Sequence, residues 1–126
     1  MVSAKDRSTH GYLDSEWDQA KEEAKAALRK IARKQGTISY ADLITKIDAI
    51  KFEPNAKEYL DFLGQISLDE DDAGRGMLTA IVTHPEGARM PGPGFFDLAA
   101  YLGRKTADKA TFWSDELKRV YLANKR

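Results

Sequence analysis

The stretch Gly74–Gly103, GRGMLTAIVTHPEGARMPGPGFFDLAAYLG, decides how this chain reads. Here an apolar β-type run, a loop rich in Gly and Pro, and a helix follow one another without a break. From Met77 to Thr83, Leu78, Ala80 and Val82 point one way and Met77, Thr79, Ile81 and Thr83 the other, an alternation that predicts a strand. Pro85, Gly87, Pro91, Gly92, Pro93 and Gly94 punctuate the loop that follows. Phe95 to Leu102 reads as a helix closed by Gly103.

Working upstream, Trp17, Ala20, Ala24, Ala27, Leu28 and Ile31 recur at helical spacing and predict a first helix from Asp14 or Ser15 to Lys34. Gly36 is its natural left-handed stop. Thr37-Ile38-Ser39 is a very short β-branched segment, and Ser39 with Asp42 three residues later opens a second helix. Leu43, Ile44, Ile47 and Ile50 form its buried side, and Phe52-Glu53-Pro54 ends it. Asn55, with Glu58 at the box position, caps a third helix whose apolar residues are Ala56, Tyr59, Leu60, Leu63 and Ile66. The run Asp69-Glu70-Asp71-Asp72 opposes the negative end of a helix, so it is expected to be loop. Downstream, Thr111 or Ser114 opens a last helix with Trp113, Leu117, Val120 and Tyr121 on its apolar stripe. Trp17, Trp113, Tyr101 and Tyr121 are assigned to core packing.

The chain has 126 residues, enough for one domain with a core of its own. Residues 1–13 are expected to be a flexible polar N-terminal arm without the apolar centre of a signal peptide, and His10 there is given no role. Residues 14–126 form the single domain. There is no cysteine, which excludes disulfides, thiol catalysis and zinc–thiolate sites and suits a cytoplasmic setting. No apolar run reaches the roughly 20 residues of a membrane span. The net charge is zero but unevenly spread: +2 over residues 1–36, −6 over 37–72 and +4 over 73–126. Local field of this kind steers association more than net charge does.

Helix, very short strand, helix, turn, helix, strand and long loop is the chain order of a winged helix, with the loop as wing and the second and third helices as the helix-turn-helix. The predicted fold is therefore mainly helical α+β, winged-helix-like, with a small two- or three-stranded β-sheet and an extra C-terminal helix. GTISYADL is similar to the strand-to-helix entry of many winged-helix domains. Gly76-Met77-Leu78-Thr79-Ala80-Ile81-Val82 followed by Pro91-Gly92-Pro93-Gly94-Phe95 resembles a small bacterial family with a Leu-Thr-Ala-Val-Val, turn, Pro-Gly-x-Gly-Phe pattern. That family comprises stand-alone proteins of unknown role or domains near HNH-type nucleases. More distantly, the tyrosine entry and the strand–wing order resemble the DNA-binding domain of O6-alkylguanine alkyltransferases. The Pro-Cys-His-Arg motif of those enzymes is missing, so alkyl transfer to sulfur is excluded.

The resemblance implies DNA binding by a non-enzymatic module. Arg89 at the loop tip and Arg75 are placed to meet phosphate or a minor groove, against the plainer reading of solubilising charges. His84 could contact phosphate or act as a base; otherwise it starts a turn. Lys57 and Gln65 could read bases from the third helix, yet Glu58 and Asp61 beside them repel a phosphate backbone. The alternative is a protein-interaction or adaptor domain in which the acidic third helix, through Glu58 and Asp61, docks on a basic partner, with Phe112 as a further contact. A small enzyme using His84 is the third reading. No catalytic group, cofactor or metal site is assigned: the acidic run lacks the alternating oxygens and interior Gly of a calcium loop, and the Pro-Gly run is not a phosphate loop.

Overall fold

Apolar periodicity and three Schellman-type helix ends organise the chain. The computed structural model describes residues 8–85 and 90–125. The elements are β1 (Ser8–Thr9), β2 (Tyr12–Leu13), α1 (Asp14–Arg33), β3 (Ile38–Ser39), α2 (Tyr40–Ile44), α3 (Lys57–Asp72), a 3-10 turn (Leu78–Ile81), β4 (Val82–Thr83), α4 (Pro93–Tyr101) and α5 (Lys109–Ala123). The architecture is mainly helical α+β with two separate two-stranded ladders. Among the described residues no helix is long and apolar enough to cross a membrane.

Of the expected stripe of α1, Trp17, Ala20, Ala24 and Leu28 are buried and Ala27 and Ile31 are half-buried, while Ala32 joins the buried face. Its small alanines let neighbouring elements approach, and Trp17 supplies bulk at one end. The indole stands edge-on to Phe62 at 5.3 Å and to Phe52 at 5.8 Å, an arrangement that aromatic quadrupoles favour. Gln35, not Gly36, is the left-handed residue after α1, with φ 56°. Gln35 N donates to Ala32 O and Gly36 N to Ile31 O, the two bonds of a Schellman end. Ser39 caps α2 as expected, accepting from Asp42 N at 3.0 Å.

Residues 8–13, assigned to the arm, are an antiparallel pair turning through His10 and Gly11, both at positive φ. His10 packs on Trp17 at 5.7 Å, and its Nε2 lies 3.0 Å from Asp61 Oδ2. The hairpin is thereby tied to α3.

Met77–Thr83 is not a continuous strand. Only Val82 and Thr83 pair, with Ile38 and Ser39 in parallel, while Leu78–Ile81 closes into the 3-10 turn. Every residue from Gly76 to Thr83 is buried, so no solvent face exists for an alternation to report. Side chains also take the backbone donors a ladder would need. Met77 N donates to Glu116 Oε2 at 2.7 Å, and Thr79 N to Ser67 Oγ at 3.1 Å. Gly76, at φ 85°, precedes this segment because a Cβ would stand 3.1 Å from the same Glu116 oxygen.

The third helix departs from expectation at both ends. Ala56 rather than Asn55 is its N-cap, without a side-chain bond. Phe62 is fully buried, whereas Leu60, assigned to the core side, is 48% exposed. The acidic run is the last turn of α3, not a loop. Cations from three other segments outweigh the unfavourable helix dipole. Lys21 and Lys25 reach Asp69 at 3.1 and 3.0 Å; Arg29 and Arg75 reach Glu70 at 3.1 and 2.7 Å; Arg104 reaches Asp71 at 2.7 Å. Gly74, at φ 80°, ends the helix and turns Arg75 back, so that Arg75 N also donates to Glu70 O. Gly103 and Arg104 repeat this device after α4.

The last helix is capped by Asp108, which accepts from Thr111 N, upstream of the expected Thr111 or Ser114. Trp113 Nε1 donates to Ala80 O and Tyr121 Oη to Gly36 O, fastening α5 to the 3-10 turn and to the end of α1. Tyr101, assigned to the core, is exposed.

Burial pushes the Glu70 carboxyl up, but hydrogen bonds and charge from Arg75 and Arg29 outweigh it and hold the group below the ordinary 4.5. Its stabilisation is therefore complete above about pH 4.5 and is lost as pH falls through the folded-state value. Glu70→Gln should cost about 2–3 kcal/mol at pH 7, less than a fully buried pair because both guanidinium groups reach solvent. The loss should shrink as pH drops below 4. Urea unfolding of both proteins across pH 3–7 checks this; parallel stability curves would show that the ion cluster does not govern the acid limb.

Candidate functional site

Because Leu60, Gly64 and Leu68 are four residues apart, they form one row along α3, off its buried stripe. Asp61 and Gln65 form the adjacent row. Across from them stand Pro93, Asp97 and Leu98 of α4, and between the two helices runs a groove of about 920 Å³. Thr79 and Val82, both buried, lie at its base. Pro54 and Asn55 line it as well, and Tyr40, His84 and Gly92 close a polar corner. The groove is predominantly apolar. Among the described residues Asp61 and Asp97 are its carboxylates, and neither Lys nor Arg lines it.

The polar corner is built from three segments. Tyr40 begins α2 just after β3, His84 follows β4, and Gly92 caps α4; pairing of β3 with β4 brings the first two together. Their rings stack at 5.0 Å. Gly92 N donates to Tyr40 Oη at 2.7 Å. Burial pushes the Tyr40 phenol up and the Gly92 N–H partly offsets it, so the phenol stays protonated at neutral pH. A Cβ on Gly92 would lie 3.3 Å from both His84 Nε2 and Tyr40 Oη, so glycine lets the three meet. Tyr59 Oη donates to Tyr40 O at 2.7 Å and fixes the corner to the core.

Several residues singled out in the sequence meet here. Asp61, Gln65 and His84 all line the groove. Two of them are already engaged within the chain. Gln65 Oε1 accepts from Trp17 Nε1 at 2.8 Å, and Asp61 holds His10. Arg75 lies elsewhere, clamped on Glu70. Lys57 is exposed at the first turn of α3, and Glu58 is half-buried beside it. Phe112 packs against Phe95 and Phe96 at 6.0 and 6.3 Å, and Trp113 beside it is also half-buried. Arg89 lies outside the described residues.

Among the described residues the His84 ring has no hydrogen bond to a carboxylate and is stacked on Tyr40. No group of three or more His, Asp or Glu among the described residues is placed to hold a metal ion. The arrangement presents exposed leucines, a stacked Tyr–His pair and two carboxylates around an open apolar trough. Comparison with family models, curated proteins and solved structures finds no match for this chain.

Gly64 was not picked out by the sequence reading, nor was the Leu60–Leu68 row. A glycine inside a helix, flanked four residues away on each side by leucine, is the signal that could have found them. Packing does not require this glycine: a Cβ there would meet Leu98 Cδ2 at 3.9 Å, an ordinary contact. Gly64→Ala should therefore raise stability by up to about 1 kcal/mol through helix propensity. Urea denaturation measures it; a destabilised variant would show that the α3 backbone itself needs glycine here.

Proposed function

We propose that this chain is a non-enzymatic protein-interaction module whose α3–α4 groove receives an amphipathic helix with basic flanks. The observation that carries the reading is the row Leu60–Gly64–Leu68, with both leucines exposed, facing an apolar trough that among the described residues has carboxylates and no cations along it. Helix-in-groove recognition uses apolar anchors at this kind of spacing, and Asp61 and Asp97 supply complementary charge for Lys or Arg beside the anchors. Leu60 and Leu68 are 48% and 37% exposed, surface that an occupant would remove from water. A cytoplasmic setting accords with the absence of cysteine.

A winged-helix-like arrangement is supported by the order of α1, β3, α2, α3 and β4 and by the β3–β4 pairing. The parallel sense of that pairing and the 3-10 turn before β4 are departures. Within such an arrangement α3 would be the recognition helix. Its groove-side charge is acidic, which favours a cationic protein segment over a phosphate backbone.

Panning a random helical-peptide library against the chain tests the proposal without a known partner. Enriched peptides should carry apolar residues at i, i+4 and i+7 with basic neighbours. Leu60→Glu with Leu68→Glu should weaken them at least about tenfold while the fold persists, since both side chains are surface-exposed. Enriched peptides that bind the double variant equally well would refute the groove. Salt-sensitive duplex DNA binding that those peptides displace would assign the site to nucleic acid instead.

A further inference from the structure

A second recess, of about 320 Å³ and sharing no residue with the groove, lies at the C-terminal ends of α1 and α5. Arg29, Arg33, Arg75 and Lys125 line it with Ala123 and Asn124. Glu70 holds two of the four cations in place. Arg29 gives it Nε and Nη2, and so does Arg75. The Nη1 group of each arginine has no partner among the described residues, and neither is a buried unsatisfied atom, so both remain open to a ligand. Arg33 and Lys125 make no ion pair among the described residues.

We propose that this recess binds a phosphomonoester group. Charge decides the class of anion. Four cations against the Glu70 carboxylate leave three positive charges in excess. The two helix C-termini subtract roughly half a charge each. The remainder is about +2, which matches the near-dianion of a phosphomonoester at pH 7 and exceeds a backbone phosphodiester. Glu70 also fixes two guanidinium groups before the ligand arrives, which lowers the ordering cost of binding. The volume fits one phosphate group with a small substituent.

Isothermal titration of the whole chain with inorganic phosphate, glycerol phosphate, a phosphoserine peptide and dimethyl phosphate tests the site at constant ionic strength. The monoesters and inorganic phosphate should bind saturably at pH 7.5, and binding should weaken as pH falls below about 6, where the dianion is lost. Dimethyl phosphate should bind at least about tenfold more weakly. Arg33→Ala with Lys125→Ala should weaken phosphate at least about tenfold without altering the melting temperature of the free protein, because neither residue belongs to the Glu70 clamp. Lys125→Ala alone, beyond the end of α5, keeps the test valid should the double variant unfold. A stronger phosphoserine peptide would name a modified protein as the source, and a stronger glycerol phosphate a metabolite. Binding unchanged in the variants, no saturable binding, or equal affinity for the diester would overturn the assignment.

Discussion

The buried Glu70 carboxylate and the cations around it are the constraint on which the rest of the structure depends. An acidic turn at the C-terminus of a helix opposes the helix dipole, and a buried carboxylate is costly unless paired. Both penalties fall on α3, and both are met by residues distant in sequence. Lys21, Lys25 and Arg29 come from successive turns of α1, while Arg75 and Arg104 follow the left-handed glycines that end α3 and α4. Each Schellman end does two things at once: it satisfies the last carbonyls and swings the next arginine back over the helix surface. The position of α3 relative to α1, and of the α4–α5 connection relative to both, follows from this cluster as much as from apolar packing.

What the sequence disclosed, and what it hid, follows from the same physics. The stripe of α1 was legible because one face is alanine and leucine and the other is charged. The Ser39 cap was legible because its partner is three residues away. The acidic run misled because local dipole reasoning cannot register cations supplied 41 to 48 residues earlier. Met77–Thr83 misled because a run buried on every side offers no contrast between faces, and Glu116 and Ser67 took its backbone donors from outside. In α3, Leu60 and Phe62 are both apolar, but Phe62 lies on the i, i+3, i+4, i+7 face with Tyr59, Leu63 and Ile66, where it meets Trp17 and Phe52.

The candidate site was half legible. Asp61, Gln65 and His84 were singled out for chemistry, and all three line one groove. Each also has a contact within the chain: Gln65 with the Trp17 indole, Asp61 with His10 of the hairpin, His84 with the face of Tyr40. Tyr40 and Gly92 looked like fold residues, a strand-to-helix entry and a turn. Their 2.7 Å hydrogen bond makes them the corner of the site instead. Residues 52 positions apart give no local sign of such a contact.

The groove persists against forces that would close it. Leucines at 60 and 68 leave apolar surface in water, and Gly64 weakens the helix between them by about 1 kcal/mol relative to alanine. A larger residue at 64 would cover part of that surface and improve helix propensity together, and no neighbour closer than 3.9 Å forbids it. On the proposed reading, the trough is a surface that a second molecule completes. Helix α3 is fixed beside that surface by ions: the pairs at Glu70 and Asp71 begin just past Leu68 and anchor the wall that carries both leucines.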